Sequence, residues 1–127
     1  MPRGRRGQSI VELALTLPVL MVLMAGVLDL ARAFSVAGIC ANAVREGARY
    51  GATNPTNTSA IKDRVNEEAA GAPITLDPSE VTVTTASGTT SGNPITVEVK
   101  HDVQLLLAQA LGFAPPTIVR HATMAIF

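Results

Sequence analysis

Two histidines, one cysteine and ten carboxylates are the groups in this 127-residue chain that could do acid–base, nucleophilic or metal chemistry. Their spacing offers little. His101 and His121 fall in separate alternating segments, and no Gly-x-Ser-x-Gly elbow, phosphate loop or metal-ligand spacing occurs. His101 and Asp102 are neighbours, but adjacent strand residues point to opposite faces and cannot cooperate as base and orienter. Cys40 stands alone, so one chain can build neither a disulfide nor a cysteine-based zinc site, and a packed helix position is its expected place. Asn57-Thr58-Ser59 fits a glycosylation acceptor and is read as loop. Neither catalysis nor a cofactor nor a metal is expected.

A different spacing stands at the N-terminus. Arg5-Arg6-Gly7-Gln8-Ser9-Ile10-Val11-Glu12 sets a carboxylate five residues after a glycine, behind a leader that also holds Arg3. The run from Leu13 to Leu28 that follows has no charge. Extended to Ile10 on one side and Phe34 on the other, it reaches the length of a membrane span, with Glu12 and Asp29 near the two interfaces. Basic residues on the N-terminal flank place that end inside and the remainder outside. Ser9 and Glu12 also fit a capping box, which would give Glu12 a local role at a helix start.

The elements that must position these residues follow from periodicity. No proline lies between Pro18 and Pro55, and Leu30, Phe34, Ala37, Ala41, Val44 and Ala48 recur at steps of four and three. One helix over about 9–50 is expected, with Pro18 and Gly26 as points where it can kink. Asp29 and Arg32, three apart, can face each other at the membrane edge or serve contacts between subunits. Glu46 and Arg49 share that spacing as a solvated pair, with Gly47 allowing close approach of a neighbouring helix. A short helix over 60–70, stopped by Gly71, should follow the Asn54–Ser59 loop. Alternating Val81–Thr84 and Ile95–Lys100 predict a hairpin turning over 87–94. Residues 104–112 suggest a helical turn, and 117–127 a last strand.

The fold class expected is α+β: a long N-terminal membrane-spanning helix, a short helix and a small antiparallel sheet. It divides into a leader over 1–7, a helix over 8–53 that spans the membrane over about 10–34, and an outer α+β domain over 54–127. With no Trp, one Tyr and three Phe, and its basic cluster confined to the leader, the chain is not expected to bind nucleic acid.

Residues 6–52 resemble the TadE-like pseudopilins of tight-adherence systems. The resemblance rests on Arg-Gly-Gln-Ser-Ile-Val-Glu at 6–12, Leu17-Pro18, the Asp29 and Arg32 pair, and Arg-Glu-Gly-Ala-Arg-Tyr at 45–50. It implies a minor pilin or pseudopilin, cut by a prepilin peptidase between Gly7 and Gln8, with Glu12 acting in assembly. It also implies other pilin subunits, a major pilin, an inner-membrane platform and an assembly ATPase as partners, besides membrane lipid. A rival reading takes Ala31-Arg32-Ala33 as an ordinary signal-peptidase site that releases a secreted binding module.

Overall fold

The computed structural model describes residues 4–70, 72 and 74–127, with backbone alone for 4–6. Arg3 and the helix stop expected at Gly71 lie outside the described residues. The elements run α1 (Gly4–Thr53), α2 (Thr58–Ala69), β1 (Val81–Thr85), β2 (Pro94–Asp102), α3 (Leu106–Ala110) and β3 (Thr117–Ala125).

α1 is a single helix of 50 residues, about 75 Å at 1.5 Å per residue. It continues through Pro18, whose missing amide frees the Ala14 carbonyl. Two residues earlier, the Thr16 hydroxyl donates to the Glu12 carbonyl at 3.0 Å, a back-bond that favours gentle bending over a break. Because the helix begins at Gly4, Ser9 lies within it, and the capping-box geometry expected at Ser9 and Glu12 does not form at a helix start.

α2 starts where Asn57 caps it, its Oδ1 accepting the Ala60 amide at 3.1 Å. The acceptor motif at 57–59 is thus built into a helix start. One face of α2, carrying Ile61, Val65 and Ala69, is buried against α1. The three strands form one antiparallel sheet in the order β1-β2-β3. Val81 pairs with Val99 and Val83 with Val97, so the apolar members of the alternation share a face. That face closes on the outer half of α1, and Ile95, Val97 and Val99 are fully buried there. The end of the chain is pinned as well: the Phe127 amide donates to the Ala52 carbonyl at 2.9 Å, where α1 finishes.

The stripe of α1 that meets this core is offset from the expected one. Val44 and Ala48 are buried as the periodicity suggests, but Leu30 and Phe34 are exposed, and Val36, Cys40, Ala43 and Ala52 complete the buried face. Small residues decide the offset, because the partners come close to the backbone of α1. A β-carbon at Gly47 would collide with the Val65 side chain, and one at Gly51 would lie 2.8 Å from Ile95 Cδ1. The neighbouring helix expected at Gly47 is therefore α2 of the same chain.

Apolar packing outweighs surface charge in this domain. Full burial of each Val or Ile contributes about 1.5–3 kcal/mol. An exposed pair such as Arg49–Glu46, at 2.7 Å, adds roughly 0.2–1 kcal/mol.

Gly47→Ala should accordingly destabilise the outer domain by up to about 2 kcal/mol. Overpacking costs about 1–3 kcal/mol and the better helix propensity of Ala returns about 1. Gly38→Ala, where the added methyl meets nothing within 4 Å, should stabilise instead. Thermal unfolding of the solubilised protein, followed by the fluorescence of its single tyrosine, Tyr50, compares the two. Equal melting temperatures would contradict the close-approach account.

Candidate functional site

The residues singled out at the N-terminus all lie on the first half of α1. Gly7, Gln8 and Glu12 are exposed on the helix surface, and a methyl group at Gly7 would meet nothing within 4 Å. Every large apolar side chain from Ile10 to Leu30 is more than half exposed, so this half is not covered by the chain's own fold. By length and composition α1 is the one helix among the described residues able to cross a membrane.

Asp29 departs from that exposure. It is 6% exposed, the one buried charged residue among those described. Its carboxylate does not pair with Arg32. Instead Oδ1 accepts the Leu106 amide at 2.8 Å and Oδ2 the Leu107 amide at 2.7 Å. These amides open α3, where backbone N–H groups have no helical acceptor and a negative charge is favoured by the helix dipole. Charge-assisted bonds of this length are about twice as strong as neutral ones.

Arg32 turns to the same connection, its guanidinium donating to the Gln104 carbonyl at 3.4 Å. The pair expected to face each other or a neighbouring subunit thus grips one loop of its own outer domain from two sides. Gly26 joins in from below. A methyl group there would lie 3.8 Å from Leu107 Cδ2, so Gly26 is the seat of the Leu107 side chain. α1 remains one helix across it.

Between α1 and α3 runs an apolar groove of about 400 Å³, bordered by Gly26, Leu30, Ala33, Leu107, Leu111 and Phe113. Sequence reasoning missed this junction. The available signal was the absence of charge from Val103 to Val119, a stretch that also contains Leu105-Leu106-Leu107.

Ser35, His101 and Asp102 all border a cleft of about 760 Å³ on the far side of Arg32. His101 Nδ1 is 3.0 Å from Glu80 Oε1, while Asp102 accepts the Thr117 hydroxyl. The two neighbours serve different partners, as strand alternation requires. Cys40 is fully buried, and burial pushes its thiol above the usual range. Among the described residues no group of His, Cys, Asp and Glu could hold a metal ion.

Farther out, Glu46 accepts two bonds from Arg49, at 3.0 and 2.7 Å, which hold its carboxyl below the usual range. Arg64 of α2 approaches the same carboxylate at 3.7 Å, so the pair is solvated yet also ties α1 to α2.

Comparison with known proteins finds a similarity along this helix. No curated protein and no solved structure matches the chain. A family model described as TadE-like protein matches residues 7–49, a segment that stops short of α2 and the sheet. It takes in Gly7, Glu12, Pro18, Asp29, Arg32 and the Glu46–Arg49 pair. Over residues 7–49, which is most of α1, this chain is similar to the TadE-like family.

Proposed function

We propose that the chain is a membrane-anchored minor pilin or pseudopilin that assists assembly of a tight-adherence pilus. The observation that carries this reading is the coincidence of the TadE-like segment with an unbroken helix whose first half is apolar and uncovered. A domain that needed only an anchor would manage with about 20 residues. Here the helix continues for a similar distance as the core of the outer domain, a rigid link between membrane and domain.

In this reading residues 1–7 precede the cut, a prepilin peptidase cleaves between Gly7 and Gln8, and the apolar half of α1 then packs with other pilin subunits. Small residues such as Ala25, Gly26 and Ala33 suit such packing. The N-terminus faces the cytoplasm, where the inner-membrane platform and assembly ATPase act, and the outer domain lies across the membrane. The role is structural rather than catalytic. The rival, release by signal peptidase after Ala33, fits the packing poorly: the cut would remove Asp29 and Arg32, which hold the connection before α3.

Intact mass of the membrane-extracted protein tests the processing step. A mature chain beginning at Gln8 is expected; one beginning at Phe34 would establish the secreted module, and an uncut chain would refute both schemes.

Glu12 is the residue that links processing to assembly. It lies four residues after the new N-terminus, on the same helix face as Gln8. A carboxylate in the membrane costs about 2.5–3.5 kcal/mol at mid-helix and less near the interface, and pairing with an α-amine offsets that cost. Only the cut chain presents this amine, whether its own or a neighbour's. Glu12→Gln is therefore expected to leave the protein inserted and cut but absent from sheared pili and cross-linked pilin complexes. Normal recovery in those fractions would remove Glu12 from assembly.

A further inference from the structure

We propose that the α3 connection, residues 105–113, is a second membrane-contacting element that sits in the outer leaflet beside the span. The inference rests on the membrane-anchored reading above and adds to it where the outer domain meets lipid.

Helix length makes the argument. A hydrocarbon core of about 30 Å takes about 20 helical residues. With Glu12, the first charge after the leader, at the inner edge, the outer edge falls at Arg32. Gly26 then lies about 9 Å below that edge at 1.5 Å per residue. Leu107 is seated on Gly26, so α3 reaches the same depth. If α3 stayed in water, the span would have to end before Gly26, leaving only about 20 Å of helix between Glu12 and the outer surface. Sliding the chain outward instead would draw Glu12 into the hydrocarbon.

The chemistry of the connection agrees with that depth. No charged residue occurs between Asp102 and Arg120. Leu106, Leu111 and Phe113 are 52%, 63% and 68% exposed, and the last two border the groove that continues the bare surface of α1. The carboxylate carried to this level is Asp29, and it is withdrawn from lipid by the Leu106 and Leu107 amides. Those same amides, at the open end of a short helix, would otherwise face hydrocarbon unsatisfied. Arg32, at the edge, can extend its head to the headgroups. Apolar contact, a satisfied carboxylate and an edge arginine together fit a bilayer surface.

The absence of tryptophan from the chain makes the test direct. Single variants Phe113→Trp, Met24→Trp and Thr90→Trp of the full chain are placed in phosphatidylcholine–phosphatidylglycerol vesicles whose acyl chains carry bromine at a shallow or a deep position. Phe113→Trp should emit to the blue of Thr90→Trp and lose emission to shallow bromine more than to deep. Met24→Trp, within the span, should be quenched, and Thr90→Trp, in the β1–β2 turn, should not. Quenching of Met24→Trp without quenching of Phe113→Trp would overturn the proposal and leave the anchor intact. Failure of Met24→Trp to respond would instead overturn the anchor. A Phe113→Trp signal that shifts with protein-to-lipid ratio and ignores bromine would assign the surface to a second copy and refute the lipid contact.

Discussion

Close approach at Gly47 and Gly51 is the contact on which this architecture depends. With no side chain at either position, α2 and the sheet lie against the backbone of α1, and Val65, Val97 and Ile95 fill the space the glycines leave. Ala43, Ala48 and Ala52 keep the rest of that face low. A three-stranded sheet has one apolar face to cover, and here a single helix covers it. The outer domain is therefore built around the far half of α1, and the helix cannot be separated from it without exposing the core.

That arrangement makes one helix answer to two surroundings. From Ile10 to Leu30 its large apolar side chains are uncovered; from Val36 onward the buried face becomes small and the partners become large. The change falls around Asp29 and Arg32, which hold the connection into α3. A carboxylate that would be costly at a membrane edge is answered there by two amides that a short helix cannot satisfy itself. Each side of the junction supplies what the other lacks, and this fixes how far down α1 the domain extends.

Much of the fold was legible in the sequence. The long helix announced itself through the lack of proline after Pro18, and the hairpin through the alternation of valine with threonine. The helix face was read less well, because the heptad-like rule favours large apolar residues such as Leu30 and Phe34, whereas close packing selects Gly47 and Gly51, which carry no apolar signal. Local spacing points Asp29 and Arg32 at each other or at a neighbouring subunit. Their actual partners lie more than seventy residues away, joined by a loop whose docking no periodicity encodes. The family match likewise stops at Arg49, so the sheet and α3 had to be read from their own residues.

The burial of Cys40 bears on how copies of this chain can be stored. Its side chain is sealed between α1 and the sheet, and burial also holds the thiol in its unreactive protonated form. Two closed copies, however crowded, cannot bring their sulfurs together, because each would first have to lift its own sheet from its helix. Close crowding of folded copies therefore leaves the chains covalently separate.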